Sequence, residues 1–147
     1  MADEANTPLV AYAFGLEMEG VQVAEFKSIS GLETTVEVTE LRQAGADGKI
    51  VVNKIPGQVK YGDVTFSRGF TKDSSLYDWY KEIVDGTITT KLGSVVIYDL
   101  AGTETARWNL EACWPSVLKI NGLEAGQSEV MIEEMTFVTN RIERVIS

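Results

Sequence analysis

Lys54–Gly69, KIPGQVKYGDVTFSRG, joins a basic segment punctuated by glycine and proline to a run in which apolar and polar residues alternate. Two structures compete for it. Gly57 and Gly62 have the Gly-x-x-x-x-Gly spacing of a phosphate loop, in which backbone N–H groups, a following lysine and a metal-binding hydroxyl converge on the anion as a helix opens. Here Asp63 and Val64 follow: a carboxylate that repels phosphate, then a strand former. From Asp63 to Phe70 (DVTFSRGF) the alternation has the period of a strand, so the stretch leads into a sheet rather than a nucleotide site.

Working outward, ETTVEVTEL (33–41) alternates Thr34, Val36 and Val38 with Glu33, Thr35, Glu37 and Thr39, the pattern of a half-buried strand. Between Ala44 and Gly62, five punctuating residues (Gly45, Gly48, Pro56, Gly57, Gly62) predict a long loop over about 44–62, and loops of that length are usually functional. AYAFGLEME (11–19) and VQVAEFKSIS (21–30) predict a hairpin turning at Glu19–Gly20. Downstream, DSSLYDWYKEIVDG (73–86) predicts a helix from about Ser74 to Asp85. Asp73 or Ser74 is placed to cap it, Leu76, Trp79, Tyr80, Ile83 and Val84 form its apolar face, and Gly86 stops it. TKLGSVVIYDL (90–100), TARWNLEACWPSVLKI (105–120) and SEVMIEEMTFVTNRIERVI (128–146) read as three further strands, with a turn around Ala101–Gly102. One helix among strands must lie across a sheet. The expected fold is mainly β, a β-sandwich or partly open barrel with one packed α-helix, in a single domain spanning 1–147.

Composition narrows the function. The chain is 44% apolar and 24% charged, in the globular range, and no apolar run approaches the roughly 18 residues of a membrane span. MADEANTPLV lacks the basic and apolar regions of a secretory signal, so folding in a cytoplasm and no membrane insertion by this chain are expected. The absence of histidine removes the commonest metal ligand and both the Ser–His and Cys–His nucleophiles. The lone Cys113 reads as a small buried apolar residue. No catalytic, cofactor-binding or metal site is expected. A carboxylate-pair hydrolase would need two acids facing across a cleft, whereas Glu33, Glu37, Glu129 and Glu133 read as polar strand faces. Trp79, Trp108 and Trp114 read as core rather than as a stacking platform. The net charge of −9 opposes non-specific nucleic-acid binding, but it is uneven: −7 over 1–41, +4 over 42–72 and −6 over 73–147. The opening stretch lies in the basic block. Open sheet edges on such a chain must be covered or used for assembly.

Four ordered segments carry a resemblance: EFKSISGLE (25–33), KIPGQVKYGDVTFSRGFT (54–71), LYDWYKEIVDG (76–86) and ARWNLEACWPSVLKINGLEAGQSEVMIEEMTFVTNRIERV (106–145). Together they are similar to the tail tube proteins of contractile phages and the inner tube proteins of contractile injection systems. The resemblance implies six subunits per ring, with sheets joined into a ring-wide barrel around a channel and rings stacked into a tube within a contracting sheath. It implies as partners other copies of the chain, sheath, baseplate and terminal cap proteins, and DNA or protein cargo, in a virion tail or injection particle. On this reading the connection holding Lys49, Val51, Val52, Lys54, Ile55, Pro56, Gly57, Lys60, Tyr61 and Gly62 projects toward an acidic face of the next ring. Glu33, Thr35, Glu37 and Thr39 become candidates to line the channel. The competing reading is a monomeric or dimeric β-sandwich binding or adaptor module.

Overall fold

The computed structural model describes residues 7–9, 13–19, 21–70, 72–122, 125–126 and 131–146. In chain order these form β1 (Ala13–Met18), β2 (Val21–Phe26), β3 (Ser28–Ser30), β4 (Thr34–Ala44), β5 (Ile50–Tyr61), β6 (Val64–Gly69), α1 (Ser75–Val84), β7 (Lys91–Tyr98), β8 (Glu104–Asn121), β9 (Ile132–Val138) and β10 (Arg141–Arg144). Among them, no helix is long and apolar enough to cross a membrane. The main sheet runs β2-β1-β7-β8-β9-β6-β3, with β10 also on β8, while β4 and β5 pair only with each other. Every pair is antiparallel.

The curl of the sheet comes from β8. Its first half pairs with β7 and β10, and from Trp114 onward it pairs with β9. Between the halves Ala112 adopts φ +51°, a left-handed conformation uncommon for a side chain with a Cβ, beside a register shift against β7. The strand thereby leaves one half of the sheet and enters the other. The stretch expected as one strand over 128–146 breaks for the same reason. Within its described part, β9 ends at Val138 and β10 begins at Arg141. The Thr139 hydroxyl and the Asn140 N–H both donate to the Glu111 carbonyl, at 2.7 and 2.9 Å, so the chain crosses beside the bend it follows. On the far side the two halves approach where β2 passes into β3. Lys27 N–H donates to Ser67 O at 2.8 Å, and the rings of Phe26 and Phe66 lie 4.6 Å apart. The result is the expected partly open barrel.

One core fills the curl, with Leu16, Phe66, Val95, Leu110, Cys113, Met135 and Phe137 essentially free of solvent. The helix closes it. Leu76 and Trp79 are buried and Tyr80 and Ile83 pack alongside, but Val84 is exposed, because its position turns past the sheet. Trp79 Nε1 donates to Thr89 O at 2.8 Å and its ring lies 5.6 Å from Phe137. Ser74 is the N-cap residue but makes no side-chain cap bond; Asp73, just before it, accepts the Ser75 N–H at 3.1 Å, and this bond holds its carboxyl below the usual range. Gly86, at φ +99°, ends the helix.

Glu133 departs from expectation. It is buried, because the alternation of β9 puts it on the side of Met135 and Phe137. Arg68, opposite it on β6, donates from Nε to its carboxylate at 3.1 Å, which compensates the buried charge. Glu129, read alongside it, lies outside the described residues.

Two outcomes follow from this packing. Trp79→Ala should lower stability by on the order of 3–5 kcal/mol in chemical denaturation, with loss of soluble yield. Burial pushes the Cys113 thiol up to about 12, so at pH 8 it should resist thiol reagents in the native protein and react stoichiometrically once unfolded.

Candidate functional site

The segment from Thr34 to Tyr61 is where the structure departs most from its sequence reading. The loop expected over 44–62 is largely strand: only residues 45–49 turn, and β5 runs from Ile50 to Tyr61 against the whole of β4. Ile50, Val51 and Val52 are β-branched and start a strand as soon as the turn ends. In the turn Gly45 N–H donates to Lys49 O at 2.7 Å, Gly48 takes φ +81°, and Asp47 Oδ1 accepts the Lys49 N–H at 3.1 Å. The other punctuation has different work. Pro56 and Gly57 lie where β5 carries an extra residue between the Val36 and Val38 pairings, a bulge that tolerates proline's missing donor. A Cβ on Gly57 would sit 2.8 Å from Thr39 Oγ1 and 3.1 Å from Glu37 O, so any larger residue would have to displace the facing strand's side chain.

The two strands make a ribbon roughly 35–40 Å long at about 3.3 Å per residue. It is exposed along all of β4 and along β5 to Lys60, and only Tyr61, at the base, packs on the core. The half-buried strand expected over 33–41 therefore has no buried face within this chain. Val38 is 65% exposed and Ile50 72% exposed. Val36 and Val59 pair across the strands, as do Thr39 and Ile55 on the opposite side, so apolar side chains stand on both faces. At the base, Gly31 (φ +89°) bends β3 into β4, and a Cβ there would come 2.0 Å from Asp63 O. Gly62 N–H donates to Glu33 O at 2.8 Å.

The four acidic or hydroxyl residues read as channel-lining, Glu33, Thr35, Glu37 and Thr39, are all exposed, and Thr35 donates to Glu33 at 3.4 Å. The lysines are less free than their sequence suggests. Lys60 bridges to Glu37 at 2.5 Å and Lys54 stands opposite Glu40, while Lys49 lies beside the tip turn. Sequence reading overlooked a second polar surface, the side of β3, β6, β9 and β8 that faces away from the core. There Ser30, Thr65 and Thr136 align across strands, as do Ser28, Ser67, Glu134 and Lys119. Thr65 and Thr136 share a hydroxyl hydrogen bond of 3.0 Å. Its signal was the alternation of Thr65 and Ser67 with buried Val64, Phe66 and Arg68.

Chemically, this surface offers pairing and packing. Among the described residues no group of three or more His, Cys, Asp or Glu could hold a metal ion, and the buried acid Glu133 is bound to Arg68. A compact barrel bearing a ribbon with two open edges and exposed apolar side chains on both faces has the features of an assembly subunit. The family of the T4-like virus tail tube protein gp19 matches residues 10–143, and the chain belongs to it: it is a tail tube structural subunit.

Solved structures share the fold. A chain of the anti-feeding prophage tube-terminating cap is 25% identical over 100% of both chains, with a TM-score of 0.77. One from the sheath–tube complex of an extracellular contractile injection system, in the extended state, is 22% identical over 100% of both, with a TM-score of 0.80. Hcp1 from Salmonella typhimurium is 14% identical, covering 92% of this chain and 86% of its own, with a TM-score of 0.56. No curated protein matches the chain by sequence.

Because the ribbon shares so little with the core, replacing residues 36–59 by a short turn should leave the melting temperature of the subunit nearly unchanged. Calorimetry checks this; a fall comparable to that of Trp79→Ala would make the ribbon part of the folding unit.

Proposed function

We propose that the chain forms six-membered rings that stack into the inner tube of a contractile tail or injection particle, with a channel for DNA or protein cargo. The observation that carries this is the ribbon: a lone two-stranded sheet is marginal in water, and this one has apolar side chains on both faces. Neighbouring copies supply the missing cover. Open edges join sheets around the ring into one barrel, and the ribbon reaches the next ring. An adaptor module would have no use for a surface demanding cover on every side.

The channel wall takes its character from short polar side chains. Glu33, Thr35, Glu37 and Thr39 remain candidates for it, and the hydroxyl face of β3, β6, β9 and β8 adds a second. With one acid and one base among the residues named there, Glu134 and Lys119, that face attracts neither DNA nor protein strongly and lets cargo slide. A sheath surrounds the tube, and baseplate and cap proteins close its ends. Assembly takes place in the cytoplasm, with no catalysis and no cofactor.

Negative-stain microscopy of the purified protein tests the proposal: hollow stacked rings support it, and a monodisperse monomer or dimer sinks it. Within it, Lys49, Lys54 and Lys60 guide docking on an acidic neighbour. Reversing all three to glutamate should leave the barrel folded but abolish stacking, since repulsion then repeats at every subunit. Tube length in micrographs reads the result; normal tubes would confine these lysines to the ribbon's internal pairing with Glu37 and Glu40.

A further inference from the structure

The ribbon and a groove occupy opposite ends of the same strand pair. β6 begins at Val64, just after the ribbon's base, and ends at Gly69; β9 runs against it from Ile132 beside Gly69 to Phe137 beside Val64. Where β6 ends, a groove of about 360 Å³ opens between the start of α1 and the last residues of β8. Phe70, Tyr77, Leu118 and Ile120 wall it, Glu133 lies at its floor, and Lys72 stands at its rim. Phe70 and Tyr77 are 44% and 50% exposed, so among the described residues nothing covers the groove fully. Across six residues of β6, groove and ribbon base are separated by roughly 20 Å.

The ribbon's tip suits this groove. Residues 44–48 are Ala, Gly, Ala, Asp and Gly, a narrow turn without bulk, followed by the highly exposed Ile50. Asp47 is exposed at its apex, and Lys72, exposed and in no ion pair among the described residues, is a cation at the groove's mouth. We infer that the groove receives the ribbon tip of a second copy stacked head to tail, with Ile50 against Tyr77 and Ile120 and Asp47 beside Lys72. A contact between unlike ends does not close on two copies; it repeats along the stack. This deepens the stacked-tube proposal and rests on it.

Cysteine crosslinking tests it on the full chain. Ile50→Cys and Tyr77→Cys are combined in one protein, where the buried, protonated Cys113 stays silent. Mild oxidation of assembled tubes should give a ladder of covalent multimers running past six, absent from either single variant. Tubes without a ladder would overturn the groove assignment while leaving the stacked tube standing, and absence of tubes in the wild type would overturn both. A ladder from Ile50→Cys alone means tip-to-tip contact, and a series stopping at six means contact within a ring; either overturns the inference. So does an Ile50–Tyr77 crosslink formed inside the monomer. If the chain's own 122–131 connection fills the groove, Gly126→Cys with Tyr77→Cys closes within the monomer and the tip pair does not, again overturning it. A second readout avoids engineered thiols. Asp47→Lys and Lys72→Asp should each shorten tubes, and the double exchange should restore them; no restoration would remove this ion pair from the contact.

Discussion

A β-ribbon in water leaves two rows of backbone N–H and C=O groups without partners, and here exposed apolar side chains stand among the polar ones on both faces. That constraint organises the molecule. The barrel provides a folded base whose core takes only Tyr61 from the ribbon, and Gly31 and Gly62 set the angle at which the ribbon leaves it. Nothing in the described chain covers the ribbon; in the proposed tube another copy does, and the fold of one chain is then a fragment of a larger sheet. Exposed valines that would threaten solubility in a monomeric enzyme become interface in the proposed assembly.

The barrel achieves its independence with few devices. One bent strand, β8, serves both halves of the sheet, and the left-handed Ala112 marks the corner. A single helix seals the interior through Leu76 and Trp79. The Arg68–Glu133 pair lies at the margin of this core rather than its centre, within reach of the Phe26 ring at 5.9 Å. Removing either partner would leave an uncompensated buried charge, which is costly whatever the pair contributes when intact. Arg68 Nη2 has no hydrogen-bond partner, so the pair fixes geometry at the expense of one unsatisfied donor.

The barrel was legible in the sequence because its strands obey local rules. Period-2 alternation in VTFSRG, the helical spacing of Leu76, Trp79, Tyr80 and Ile83, and the glycine stop at Gly86 each reflect burial within the chain. The ribbon was misread for the opposite reason. Its alternation corresponds to no burial within the chain, and the glycines and proline that look like loop residues shape a turn, a bulge and a bend. Glu133 escaped notice because two adjacent acids in IEEMTFV look alike until the register assigns one inward and an arginine 65 positions away meets it. The groove left no trace in sequence, since its walls come from three separated segments.

A body with a ribbon at one pole and a hollow at the other is directional. Any chain of such bodies has a plus end and a minus end, one bristling with unpaired strands and the other pitted. The two termini present different chemistry to whatever stops growth. A stopper at the bristling end needs hollows and no ribbon; one at the pitted end needs only a ribbon. Length control and orientation toward a target thus become separable problems, since each end can be stopped by a different surface.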